Sequence, residues 1–594
     1  MSFNLLISLI ITVTPGYFVL IRKNNLKYKP LPHKLLAYSC FFIFVAGFYL
    51  NLYSFYRQIS ISKSLSNISE NLNIKYLAAV CLLNGIMLAA YFIGGRLELK
   101  ITPPPPPHKR QILIFFHLFL LLFIWSVYFW FKTEFDSVSF ETLMYYARMP
   151  LDGTNWTVVT RFTGDTAVNS LIFAFELAET GRLQLYRKKR LLIRSCMDFC
   201  PRVVHIAINM LLGASVIFFA LTGDVFSAIK RQMEAPSSFY EENYIDPEEI
   251  NFSFTGKKRN LIVIFIESLE TGFLSGNRGG AFSEDIINEL ALLAQNNINF
   301  SHTNFIGGSR QVYGTGWTIA GIVSTYTGIP LTLPFGNNYG KLTGFLPGIT
   351  SLGDILYKNG YSNYFILGSD SKFAGRNKYF KTHGNTTIWD YTYFHDEGYI
   401  DKDYRVWWGF EDRKLYRFAK DKLSEIAAGN TPFFFTLLTV DTHPADGYLD
   451  DSAEIKYTSR YKNVLADMSG QLLDFINWIR RQGFYDNTTI AILGDHLYMD
   501  SAVFQGKQEG IDRRPLNIFI NSMLNGEYTK NREFTHFDLF PAIIDSIGAG
   551  YNAAGIGLGR SMNKGEKTLI ELLGPEQFET NLKMKSNRYE SFFK

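Results

Sequence analysis

Apolar and polar positions divide the chain into two halves with different grammar. Before residue 225 the apolar positions come in long runs: Phe3 to Ile21, Leu35 to Tyr53, Tyr76 to Gly95, Ile112 to Phe131 and Val203 to Gly223. Each is about 20 residues, the length at which a helix crosses the hydrocarbon core. Five in succession predict an N-terminal helical transmembrane bundle over 1–225. The first run is interrupted by Pro15 and Gly16 and is followed by Arg22, Lys23, Lys27 and Lys29, not by a small-residue cleavage site. It reads as a retained span. Residues 226–258 are charged and proline-containing, a linker on the membrane surface.

From residue 259 the runs shorten. Asn260 to Glu267 is a near-continuous β-branched run that lacks alternation, so it suits a strand buried on both faces. Tyr364 to Leu367, Phe433 to Val440 and Thr488 to Leu493 repeat that pattern. Helical segments are predicted over Ser283 to Asn296, near 464–481 and over Phe534 to Ile547. Ile298 to Phe305 could be a further strand. Strands alternating with helices predict an α/β domain with a doubly wound, mostly parallel sheet over 259–560. Residues 561–594 are left as a C-terminal tail.

Charge complicates the membrane half. The loops 22–34 and 96–110 hold most of its early Lys and Arg, which places the N-terminus outside. Five spans would then leave the soluble half inside. The short apolar core Ala167 to Ala178, followed by Arg187-Lys188-Lys189-Arg190, would reverse this if 156–181 also crosses or dips. The net charge of +5 over 594 residues is small. No basic-aromatic stretch suits nucleic acid. The four cysteines, Cys40, Cys81, Cys196 and Cys200, all precede the soluble half and lack zinc-site spacing.

Candidate chemistry gathers where the buried strands end. Ligands in open α/β sheets collect at the carboxyl ends of strands. Here those ends carry Glu267, His443 and the pair Asp495-His496, carboxylates and imidazoles suited to Mn, Mg or Zn. Arg376, after the strand ending at Asp370, could clamp a phosphate with its planar fork. Gly314-Thr315-Gly316-Trp317-Thr318 runs from a glycine-bracketed turn into the apolar segment Ile319 to Ser324. A threonine there would sit among unpaired N–H groups at a helix start. Thr315 or Thr318 could equally be a plain N-cap.

With Glu267, Gly314-Thr315-Gly316, Arg376, His443 and Gly494-Asp495-His496 in this order, the chain resembles the alkaline phosphatase/sulfatase superfamily. More narrowly it resembles the membrane phosphoglycerol transferases of bacterial envelopes, which comprise lipoteichoic acid synthases and the transferase that decorates periplasmic glucans. The resembling stretches are Gly314 to Gly321, Phe373-Ala374-Gly375, Thr439 to His443 and Asp495-His496-Leu497. The resemblance implies Thr315 as nucleophile, with Thr318 in reserve. It implies Glu267, Thr315, Asp495 and His496 as ligands of a divalent metal, Mn²⁺ first. His443 and Arg376 would hold the glycerophosphate. The synthases carry a tryptophan just before this arginine, where Ala374 stands here. The implied donor is phosphatidylglycerol, the acceptor a sugar hydroxyl of an envelope glycan, and the place a bacterial inner membrane with the catalytic domain on its outer side.

Rival readings fit less well. A sulfatase needs a Cys or Ser in a C/S-x-P-x-R context, which the soluble half lacks. Phosphoethanolamine transferases share the metal site, but familiar members carry disulfides in the soluble domain. A non-catalytic scaffold need not keep the whole residue set.

Overall fold

The run Asn260–Ile266 forms strand β1, buried along its whole length at the centre of a six-stranded sheet. This is seen in a computed structural model that describes residues 99–102, 109–135, 156–180, 184–187, 190–193, 201–222 and, with short gaps, 230–594. The described residues before 223 and those from 230 onward are separate units.

In the first unit, the helix Lys109–Phe135 contains the one segment among the described residues long and apolar enough to cross a membrane, Ile112–Trp130. It pairs with the helix Pro201–Thr222 through Trp125 Nε1, which donates to Ser215 Oγ at 2.9 Å. Ser170 Oγ donates to Ser126 Oγ at 3.1 Å, tying in the helix Asn169–Thr180. Ile206, Met210, Leu211 and Ile217 are exposed among the described residues. The segment 156–180 is helical with a π turn at Gly164–Val168. The stretch after it is a hairpin, Gln184–Arg187 with Arg190–Ile193, to which Leu99–Thr102 adds a third antiparallel strand. The three earlier apolar runs, the loop 22–34 and the four cysteines lie outside the described residues.

The second unit is the α/β domain. Besides β1 its sheet contains β2 (Ser362–Leu367), β3 (Thr387–Trp389), β4 (Phe433–Leu438), β5 (Thr488–Gly494) and β6 (Asn517–Ile520). The order is β6-β5-β1-β4-β2-β3. All neighbours are parallel except β6, which runs antiparallel to β5 at the edge. Successive side chains of β1 feed two cores, as strand geometry requires. Leu261, Val263 and Phe265 pack with helices α2 (Thr318–Thr327) and α7 (His536–Ser546). Ile262, Ile264 and Ile266 pack with α1 (Asn288–Asn296), α5 (Asp412–Ala427) and α6 (Arg460–Arg480). Two apolar faces explain the lack of alternation in the sequence. Helices α3 (Leu352–Lys358) and α4 (Arg376–Thr382) flank β2 in the chain.

Two boundaries differ from the sequence reading. Residues 561–594 are not a free tail: Phe578, Leu582, Tyr589, Phe592 and Phe593 are buried in the core shared with α2 and α7. The described part of 226–258 also belongs to this unit. Phe239 and Tyr240 pack in the same core, and Ser253–Phe254 pairs with Ala549–Gly550. Aromatic residues spaced through both segments supply the burial that their charged flanks conceal.

Candidate active site

Parallel pairing aligns the strand ends. Ile266 lies opposite Gly494, so Glu267 and Asp495 leave the sheet side by side. The backbone then locks the neighbouring exit: Glu267 N–H donates to Thr439 Oγ1 at 3.1 Å, and Thr442 Oγ1 donates to the Glu267 carbonyl at 2.6 Å. Ser268 takes the left-handed conformation, φ 57°, a strained position for a side-chain-bearing residue. Its N–H donates to Asp495 Oδ1 at 2.7 Å and its hydroxyl to Glu267 Oε1 at 2.9 Å.

Glu267, Asp495 and His496 converge, with ligand atoms all within 4.8 Å of one another. All three are almost fully buried. His496 Nε2 lies 3.2 Å from Glu267 Oε1 and 3.5 Å from Asp495 Oδ2. His496 Nδ1 lies 2.8 Å from the Leu497 carbonyl and donates to it, which turns Nε2 toward the carboxylates. Asp495 Oδ2 and His496 Nε2 are buried without a hydrogen-bond partner. A buried polar atom left unpaired is costly, and two such atoms beside the Glu267 carboxylate fit a divalent cation. Burial opposes every charge here, yet the mutual fields win where signs differ. His496 holds the Glu267 carboxyl down despite its burial. Burial and the Glu267 charge push Asp495 up. His496, which burial alone would depress, is held up at about 9 by Asp495 and Glu267.

The glycine-bracketed turn delivers the hydroxyl. Trp317 is extended, φ −152°, and α2 begins at Thr318. Thr318 Oγ1 donates to Glu267 Oε2 at 3.0 Å. Thr315, the residue read first as nucleophile and ligand, stands elsewhere. It is fully buried, and its Oγ1 accepts from Val312 N at 2.9 Å and donates to Val312 O at 2.8 Å. Both capacities of that hydroxyl are spent inside the turn. The helix starts at Thr318, just ahead of the apolar segment Ile319 to Ser324, so Thr318 takes the place at the unpaired N–H groups. Gly321, one turn into α2, lets the helix approach: a Cβ there would lie 2.0 Å from the Asp495 carbonyl. The same carbonyl accepts from His536 Nε2 on α7 at 2.9 Å.

Beside Thr318 opens a pocket lined on its polar side by Glu267, Ser369, Arg376, Thr439 and His443. Arg376 is anchored by bonds from Nε to the Phe373 carbonyl, 3.1 Å, and from a terminal nitrogen to the Asp370 carbonyl, 2.9 Å. His443 Nδ1 lies 2.7 Å from the Pro444 carbonyl, leaving Nε2 for the pocket. Burial lowers the His443 pKa, against the pull of Glu267. Its ring is therefore neutral near pH 7. The structure thus brings Glu267, Asp495 and His496 into one cluster, puts Arg376 and His443 on the adjoining pocket, and leaves Thr315 out of both.

Residues 259–549 match the Sulfatase family model. They form a sulfatase-family domain. Curated relatives named phosphoglycerol transferase I align with the chain. That of Citrobacter koseri is 33% identical over 322 residues, 52% of this chain and 39% of the relative. That of Salmonella newport is 31% identical over 350 residues, 57% of this chain and 43% of the relative. The chain thus spans about two fifths of the length of the curated relatives it matches. Among solved structures, a lipoteichoic acid synthase from Listeria monocytogenes aligns with TM-score 0.39 and 19% identity over 57% of this chain and 81% of that one. A lipooligosaccharide phosphoethanolamine transferase from Neisseria meningitidis aligns with TM-score 0.44 and 13% identity, over 75% and 85%. Likenesses of that size carry no argument about activity.

Sequence reasoning gave no role to Ser268, Trp408, Thr439 or His536. Thr439 lies in the resembling stretch Thr439 to His443, and Trp408 left only the pair Trp407-Trp408 before a glycine. Ser268 acts through its N–H and its hydroxyl, Thr439 through the Glu267 backbone, and His536 reaches Asp495 from 41 residues away.

Proposed function

We propose that the protein transfers the phosphoglycerol headgroup of phosphatidylglycerol to a sugar hydroxyl of a cell-envelope glycan, through a phosphoglyceryl-Thr318 intermediate. The observation that carries the reading is the bond from Thr318 Oγ1 to Glu267, at the edge of a buried Glu267-Asp495-His496 cluster. A hydroxyl at a helix start, beside metal-competent ligands and an arginine-lined pocket, suits attack on a phosphodiester. The 33% identical relative named phosphoglycerol transferase I supports phosphoglycerol as the group moved.

Glu267, Asp495 and His496 would hold a divalent cation, Mn²⁺ by family resemblance, with Thr318 as the neighbouring hydroxyl. Such an ion supplies positive charge that favours the alkoxide and offsets phosphate charge. The chain's own residues do the rest. Arg376 binds the phosphate oxygens. Thr318 Oγ attacks phosphorus, the bond to the diacylglycerol oxygen breaks, and the proton lost by the threonine leaves on diacylglycerol. In the second step the sugar hydroxyl attacks the same phosphorus. His443 Nε2, neutral at pH 7, takes its proton, the Thr318–phosphorus bond breaks, and that proton passes to the departing Thr318 Oγ, restoring the hydroxyl and the neutral imidazole. The part before residue 225 would anchor the chain to the inner membrane that supplies the donor.

Following diacylglycerol release from phosphatidylglycerol and from phosphatidylethanolamine by the full chain in lipid tests this. Release from the first alone is expected. Release from phosphatidylethanolamine alone would assign the other headgroup, and release from neither would remove the transferase reading.

A further inference from the structure

Arg376, Phe373, Trp408 and His443 form an arc along the pocket that receives the headgroup. The Arg376 guanidinium lies 5.4 Å from the Phe373 ring, Phe373 lies 5.1 Å from Trp408, and Trp408 lies 4.9 Å from His443, between centroids. Trp408 comes from the loop before α5, far in sequence from the other members.

That loop is held firmly. Val406 and Gly409 exchange both backbone bonds, at 2.8 and 3.0 Å, and Phe410 N donates to the Gly368 carbonyl at 3.0 Å. A Cβ on Gly409 would lie 2.0 Å from the Gly368 carbonyl, so the loop presses directly on the exit of β2. Trp407 is left-handed, φ 53°, a conformation that bulky residues avoid. The next side chain, Trp408, lines the pocket. Ala374, also left-handed at φ 55°, lines the same pocket with only a methyl group.

Charge narrows the ligand. Among the described residues lining the pocket, Glu267 is the one carboxylate and belongs to the metal-competent cluster. Among the described lining residues no second carboxylate pairs with an ammonium group. An indole face attracts cations, but Arg376 shares this pocket and repels them. A neutral carbon chain bearing hydroxyls fits better: its C–H face on the indole, its hydroxyls toward Ser369 and Thr439.

We propose that Trp408 is the specificity-determining wall for the transferred group, packing the carbon chain of a neutral polyol phosphate and disfavouring an amino-alcohol phosphate. This rests on the phosphoglycerol reading and sharpens it. The test is calorimetric binding of three probes to the full-length, Mn²⁺-loaded protein: glycerol phosphate, inorganic phosphate and ethanolamine phosphate. Wild type should prefer glycerol phosphate to inorganic phosphate. Trp408→Ala and Trp408→Leu should each weaken glycerol phosphate by about tenfold while inorganic phosphate holds within about twofold. Either folded variant decides the matter, because inorganic phosphate reports the intact Arg376 site. Equal loss of both probes, an unchanged preference, or tightest wild-type binding of ethanolamine phosphate would overturn the proposal. The transferase reading fails separately, on absent diacylglycerol release by wild type.

Discussion

Thr318 Oγ1 donates to Glu267 Oε2 at 3.0 Å, joining the first residue of α2 to the end of β1. Thr315, three residues earlier, turns its hydroxyl back on Val312. The two threonines should separate cleanly. Thr318→Ala is expected to abolish transfer with an unchanged melting temperature. Thr315→Ala should keep transfer within a few-fold of wild type and lose about 1–2 kcal/mol of stability, because Val312 N–H is left buried and unpaired. Chemical denaturation and a headgroup-transfer assay read both.

Gly321 sets how closely α2 approaches the cluster. A methyl group there meets the Asp495 carbonyl at 2.0 Å, and backbone on both sides cannot yield cheaply. Gly321→Ala is expected to cost about 1–3 kcal/mol and to lower bound metal together with transfer. Metal analysis of the purified variant checks this.

Removing the cluster's donors should remove the ion. Asp495→Asn and His496→Gln are expected to lower metal stoichiometry, and chelation of wild type should stop transfer until metal is restored. His496 holds its proton up to about 9 between two carboxylates. An ion must displace that proton, so metal affinity should rise with pH up to about 9, with proton release visible by calorimetry in buffers of different ionisation heat.

Burial drives His536 down to about 4, from an unfolded value near 6.5. A group depressed in the folded state favours folding above its unfolded pKa. That contribution is lost as pH falls from about 6.5 through 4. The size is on the order of 3 kcal/mol. Wild type should therefore lose stability over this window more steeply than His536→Asn, as thermal melts at several pH values would show.

Much of this was legible because buried parallel strands announce themselves. Asn260–Ile266, Phe433–Leu438 and Thr488–Gly494 lie where continuous apolar runs placed them, and the residues just past them form the cluster. Short edge strands were not legible: Thr387–Trp389 and Asn517–Ile520 offer three and four residues. Ile298 to Phe305 reads as a strand but makes only a bridge from Ile298 to Phe519. The helix expected from Ser283 begins at Asn288, since Asp285 instead binds Ser275 N–H and Arg278. The choice between Thr315 and Thr318 depended on which hydroxyl the turn binds to its own backbone. Glycines mark a turn without fixing which later hydroxyl faces the strand ends.

The measurement that tests the central claim most directly is the intact mass of the protein after incubation with phosphatidylglycerol and Mn²⁺, followed by peptide mapping. A gain of one glycerophosphoryl unit on Thr318, absent from Thr318→Ala and retained by Thr315→Ala, is the predicted result. An adduct on Thr315, or none on either threonine while diacylglycerol is released, would contradict the account.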